Sequence, residues 1–267
     1  MDKIPPIVLL VAGVQLGLNT LISAHAAALP EQGAHKDFYH QETRQASQTF
    51  SSFGTGFEMS QGYSTGWISG QNGWSSFTNS SSQPYVANNN PFSGAQHLRM
   101  TNDPANPPGT LIGAFSPNLG SLPKNLFCRV SLQISLSATG GASYDVVANA
   151  PSHGTGSWRV KFHESGSIQV YNRVDGLNIY DDTGAFWPVG SYFNLTVEAN
   201  NSLNQIDYFL NGDLIYVSPA DVLAGSPVCV EQVLLANDNR QTGSESADFD
   251  ELQIENDLIF TNAFEQE

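Results

Sequence analysis

Basic residues are scarce in this sequence: 10 Lys and Arg stand against 25 Asp and Glu, for a formal net charge of −15. So few cations cannot neutralise a phosphate backbone, which argues against a nucleic-acid partner. An anionic polysaccharide meets the same repulsion unless a local basic patch offsets it. Cysteine is nearly missing, with 2 in 267 residues, so this is no disulfide-dense scaffold. Past the N-terminal stretch no apolar run is long enough for a spanning helix. Ser-His-Asp arrangements, phosphate loops, dinucleotide fingerprints and zinc-ligand spacings are also missing.

What is there begins with an export signal. Lys3 gives the positive start, an interrupted apolar stretch follows to Leu21, and Ala24-His25-Ala26 supplies the small residues of a cleavage site. The reading is a signal peptide over 1–26 and a secreted protein, extracellular or periplasmic. Residues 27–52 are polar and without periodicity, which predicts a linker or disordered lead-in. In an oxidising compartment Cys128 and Cys229 either join in one long-range disulfide or lie as two buried thiols.

From residue 53 onward the pattern is β. Glycines at 62, 66, 70 and 73 exclude a long helix around Trp67 and Trp74. In 127–137, Cys128, Val130, Leu132, Ile134 and Leu136 alternate with polar residues, a period of two with one buried face. The same alternation recurs over 158–163 and 193–199. Asn211-Gly212 marks a two-residue hairpin turn, because both positions tolerate positive φ. About a dozen strands and no firm helix predict an all-β, two-sheet antiparallel sandwich over 53–257, with a short tail at 258–267. A monomer is expected.

Three stretches together resemble the concanavalin A-like lectin/glucanase superfamily in its bacterial laminin-G-like form. They are Phe57-Glu58 with Gly-Gln-Asn-Gly-Trp at 70–74; Asn194-Leu195-Thr196-Val197-Glu198 running on to the hairpin at 207–216; and Ala247-Asp248-Phe249-Asp250-Glu251-Leu252. The resemblance implies a jelly roll. It also implies a structural calcium shared by a carboxylate after the first strand, Glu58, and one on the last, Asp250. Hard oxygen donors suit that ion. Asp250 stands in phase with Leu252 and Ile254, so an inward side chain is expected, and Glu251 is expected on the other face.

Catalytic members of the superfamily carry paired carboxylates on one strand, and no Glu-x-Asp-x-x-Glu occurs here. Lyase members use Arg-rich and Gln-x-His strands with a Tyr; Gln96-His97 and Arg159-Val160-Lys161 are faint echoes. His163 with Tyr171 or Tyr144 would be an acid/base pair. For sugar stacking the candidates are Trp187, in a loop, then Tyr144 and Tyr180. Asn237-Asp238-Asn239-Arg240 reads as an oxygen-rich loop for a ligand or metal, and 180–184 as a solvated turn. The leading expectation is carbohydrate or cell-surface ligand binding without catalysis. The alternatives are a polysaccharide-active hydrolase or lyase, and a structural or adhesion module.

Overall fold

The computed structural model describes residues 52–78, 82–103, 105–122, 126–174, 177–201, 203–219, 230–239 and 244–258. The expected signal peptide, almost all of the expected lead-in, Cys229, Arg240 and the tail beyond Leu258 lie outside the described residues. Chain contacts divide the protein at Ala46/Ser47, and the sandwich belongs to the unit Ser47–Glu267.

Sixteen strands occur among the described residues. They are β1 (Phe53–Thr55), β2 (Gly66–Trp67), β3 (Ser75–Thr78), β4 (Tyr85–Ala87), β5 (His97–Thr101), β6 (Leu111–Phe115), β7 (Leu126–Leu136) and β8 (Ala142–Ala150). Then come β9 (Thr155–Phe162), β10 (Ser167–Val174), β11 (Leu177–Phe186), β12 (Tyr192–Asn200), β13 (Gln205–Leu210), β14 (Asp213–Pro219), β15 (Gln232–Asn239) and β16 (Ser246–Leu258). The described helices are two short 3-10 turns at Met59–Gln61 and Pro151–His153. None is long and apolar enough to cross a membrane.

The strands form two antiparallel sheets. One has nine strands, ordered β14-β13-β12-β7-β16-β5-β4-β2 with β1 on β16; the other has seven, ordered β11-β10-β9-β8-β15-β6-β3. Val130, Leu132 and Ile134 of the long β7 and Val146, Ala148, Trp158 and Val160 of the facing sheet are all fully buried in one core. This is the two-sheet antiparallel sandwich that the alternation predicts, and the jelly roll that the resemblance implies. Cys128 is fully buried in that core.

Two stretches differ from expectation. Residues 180–184, read as a turn, lie inside β11. Their polar side chains are explained by position: β11 is an edge strand, and Asp181 is bonded by the Tyr216 hydroxyl of β14 in the other sheet. Asn237 to Asn239, read as a loop, form the end of β15, with Asn237 opposite Tyr144 on β8.

A third difference sits in β16. Against β7, Asp250 faces Gln133 while Gln253 faces Ser131, so β16 carries one extra residue there. Glu251 takes the left-handed conformation, φ 48°, that such a bulge requires. The phase therefore flips. Ala247 and Phe249 face the core before the bulge, and Leu252 and Ile254 face it after. Asp250 thus points away from the core, contrary to the expectation from its spacing to Leu252.

Candidate functional site

Asp250 and Glu58 each hold the loop at 92–96. Asp250 Oδ2 accepts the amides of Phe92 (3.0 Å) and Ser93 (3.1 Å), and Oδ1 accepts that of Glu251 (2.8 Å). Glu58 Oε1 accepts the amides of Ala95 (2.9 Å) and Gln96 (3.1 Å). The bulge also turns Glu251 toward this loop, where it bonds the Ser93 hydroxyl. The contacts are tight: a Cβ on Gly94 would stand 2.2 Å from Glu58 Oε1, and one on Gly56 would stand 3.2 Å from Glu251 Oε1. Among the described residues no Lys, Arg or His forms an ion pair with these three carboxylates. Burial, with the Glu251 charge adding to it, pushes the Asp250 carboxyl up to about 6 despite the amide bonds. Carboxylate oxygens suit a hard divalent ion, but among the described residues no group of three or more His, Cys, Asp or Glu is arranged to hold one.

A different cluster forms on the outer face of the seven-stranded sheet. Val146 and Ala148 face the core, so Asp145, Val147 and Asn149 face outward. Register places Lys161 opposite Asp145 and Arg159 opposite Val147. Arg159 donates to both oxygens of Asp145, at 2.9 and 2.7 Å, and Lys161 Nζ donates to Oδ2 at 3.2 Å. Both cations also lie over the Tyr180 ring, with centroid distances of 5.3 Å for Arg159 and 4.9 Å for Lys161. Tyr180 packs edge-on to Tyr171, its cross-strand partner, at 5.2 Å. Lys161 and Asp145 are buried by this arrangement, whereas the Arg159 side chain keeps 37% of its surface exposed.

Beside that cluster the sheet is hollow. Gly113 of β6 and Ala236 of β15 are register neighbours, and small residues there leave space. A Cβ on Gly113 would stand 2.1 Å from Phe77 Cε1, so the ring lies directly across the glycine. A cavity of about 240 Å³ results, lined by Phe77, Leu111, Val147, Arg159, Leu234 and Asp238 among others. A second cavity, about 360 Å³, opens where Phe115, Asn149, Gly156 and Gln232 line the same face. The row Phe115–Leu234–Val147 lies between the two. From Asp238 to Gln232 along β15 is roughly 20 Å at the usual strand rise. Together the two cavities and the row between them form a trough-like strip of the sheet, with ionic groups at one end and carboxamides at the other.

The amide end is held by a buried carboxylate. Glu231 accepts the amides of Leu122 (3.1 Å) and Ser152 (2.8 Å) and bonds the Ser152 hydroxyl. Burial alone would raise this carboxyl, but the Ser152 and Leu122 bonds outweigh it and hold it below the usual range. The 3-10 turn bearing Pro151 is thereby fixed at the mouth of the second cavity.

The sequence-expected site residues are scattered. Tyr180 lies in the ionic cluster. Trp187 is only 3% exposed: its Nε1 donates to the His163 carbonyl at 3.2 Å and its ring anchors its own loop. It offers no open platform. Tyr144 and Asn237 are cross-strand partners facing the core, fully buried, so neither reaches a surface ligand. His163 is bonded by Ser165 and Glu164, not by Tyr171 or Tyr144. Gln96 and His97 belong to the opposite sheet from Arg159 and Lys161; His97 Nε2 lies 3.2 Å from Asp248, which also holds Arg99. The exposed Trp of the molecule is Trp67. The trough was not visible in the sequence because five separate strands build it; only the polar phase of 159–163 hinted at its ionic end.

No family model matches the chain, and no curated protein matches it. Solved structures do resemble it. One is the cellulose-induced protein Cip1, at 13% identity over 76% of this chain and 96% of that one, with a TM-score of 0.52. A Bacillus licheniformis β-glucanase shows 13% identity over 78% of this chain and 99% of that one, TM-score 0.48. A sialidase shows 10% identity over 68% of this chain, which spans only 17% of its length, TM-score 0.48. At such identities the likeness is one of fold.

Proposed function

We propose that this chain is an exported, glycan-binding sandwich of the concanavalin A-like, laminin-G-like type, whose ligand lies in the trough of the seven-stranded sheet. The observation that carries the reading is the trough itself. It joins apolar surface from Phe77, Leu111 and Val147 to a few fixed polar groups, the mixture that sugar rings and their hydroxyls need. Its length suits a chain of linked sugars rather than a single ring. Asp145 has both oxygens taken by cations, so it is poorly placed to act as the proton donor of a hydrolase.

Glu58 and Asp250, with loop carbonyls completing the oxygen set, would share a structural calcium. Its chemistry there is charge neutralisation. It would pin the loop at 90–96 to the bulge of the last strand and so close the sandwich. The same loop carries Asn90, whose carbonyl accepts the Tyr192 hydroxyl of the neighbouring sheet surface.

A second reading is favoured by one feature, the two cations stacked on Tyr180. Lyase chemistry on an acidic polysaccharide needs a cation beside the sugar carboxylate and a base at the adjoining carbon. Arg159, Lys161 and Tyr180 are the residue types for that task.

A glycan array in calcium, repeated with a chelator, separates these readings when each hit is followed by reducing-sugar and unsaturated-product assays. Binding without turnover supports the lead reading. Turnover with an unsaturated product supports the lyase. No bound glycan in either condition overturns both.

A further inference from the structure

The nine-stranded sheet bears its own aromatic site on the opposite face of the sandwich. Val86 and Leu98 point into the core, so Trp67, Tyr85 and Arg99, which are register neighbours across β2, β4 and β5, point outward. Trp67 is 59% exposed, while Trp74, Trp158 and Trp187 are all buried. Its exposure is not that of a loose loop. Gln71 Nε2 donates to the Trp67 carbonyl at 2.7 Å and to that of Ser64 at 3.0 Å, and Gln71 Oε1 accepts the Ser64 amide at 2.8 Å. On the other side Ile68 is fully buried and its amide donates to the Pro84 carbonyl at 3.1 Å. The backbone is therefore clamped on both sides of a ring that the core does not use. Pre-organising a large apolar ring in water has no folding benefit, and it lowers the cost of binding.

The ring borders a cavity of about 400 Å³ shared with Tyr85, Gln83, Thr101, Asn102 and Asp103. Hydroxyls, carboxamides and one carboxylate surround the two aromatics, and among the described residues the lining contains no Lys, Arg or His. Among the described residues the Gln83 carboxamide makes no hydrogen bond. An acidic ligand would meet Asp103, and the neighbouring cation on this face, Arg99, is already held by Asp248. The chemistry left is an uncharged polyhydroxylated ring: its C–H face stacks on Trp67, and its hydroxyls bond at the polar rim.

We infer that Trp67, Tyr85, Gln83 and Asp103 form a second carbohydrate site, specific for neutral sugars and independent of the trough. This inference does not rest on the trough binding anything. With both sites filled, one molecule would hold two glycan segments on opposite faces, and attachment to a multivalent surface would exceed either affinity alone.

Because Trp67 is the exposed tryptophan of the four, acrylamide quenching of intrinsic fluorescence reads this site directly. The probes are cellohexaose, xylohexaose, mannohexaose and laminarihexaose, tested on the full chain, with binding also followed by calorimetry. At least one of them is expected to reduce quenching severalfold and saturably, and to do so equally in Arg159→Ala. Trp67→Ala should lose that binding by about tenfold or more. It should leave the melting temperature unchanged. Gln83→Ala should weaken it by about fivefold, as for a lost hydrogen bond. If no neutral hexasaccharide shields the ring, or if shielding disappears in Arg159→Ala and survives in Gln83→Ala, the inference is overturned.

Discussion

Glu58, just after the first strand, and Asp250, within the last, hold one loop from two sides. Glu58 takes the amides of Ala95 and Gln96, and Asp250 those of Phe92 and Ser93. Two ends of the chain are thus tied to each other through a segment that lies between them in sequence. The tie is made by negative groups, and its strength should depend on protons and cations.

The proton dependence has a definite sign. Asp250 takes up its proton at about 6 in the folded chain, above the unfolded carboxylate value. Between about pH 4 and pH 6 the folded state therefore binds more protons than the unfolded one. Without metal, stability should fall as pH rises through that window. Calcium should act in the opposite sense, raising the melting temperature at about pH 7 and doing little at about pH 5, where Asp250 is protonated. At a hundredfold excess over its dissociation constant the gain should be about 2.7 kcal/mol. Melts with calcium and with a chelator at the two pH values check this, and Asp250→Asn should remove both effects.

Asp145 is the shared counter-ion of Arg159 and Lys161, and it is almost fully buried. Asp145→Asn leaves Lys161 charged and covered with no partner. The expected cost is about 3 kcal/mol, read as a lower urea midpoint at unchanged slope. Arg159→Ala should cost far less stability, since its head is partly in water.

Gly113 is required by the Phe77 ring across it. Gly113→Ala places a methyl where the ring now stands, so Phe77 must swing into the trough. A loss of about 1–3 kcal/mol is expected, together with weaker glycan binding. Phe77→Leu in the same background should recover stability, which a thermal melt can show.

How much of this was readable beforehand differs by element. The core face of β7 followed directly from Cys128, Val130, Leu132, Ile134 and Leu136, because period two leaves no other solution for a half-buried strand. Glu58 and Asp250 were legible as a pair, but the direction of Asp250 was not. One residue in the left-handed region, Glu251, reversed the phase, and glutamate gives no signal of such a conformation. Trp187 looked exposed because Gly-Ala-Phe-Trp-Pro reads as a loop. Whether a loop aromatic packs down or stands out depends on what passes beneath it, here the His163 carbonyl. The trough needed register between β3, β6, β15, β8 and β9, which single-strand patterns do not carry.

For an exported chain, Cys128 and Cys229 either join in one long-range disulfide or lie as two buried thiols. Labelling of the denatured chain with a thiol reagent should find no reactive cysteine before reduction and two after if they pair, and two in both cases if they do not. A bridge closing a loop of roughly 100 residues is worth about 4–5 kcal/mol, so in the paired case reduction should lower the melting temperature markedly.

Calorimetric titration of the strongest glycan from the array into the wild-type chain, Arg159→Ala and Asn149→Ala tests the trough most directly. The two substitutions lie on the trough's outer face, one at each end, and neither removes a core side chain. The trough account predicts that each weakens binding by about tenfold, with unchanged melting temperatures. Equal affinity in all three proteins would contradict it.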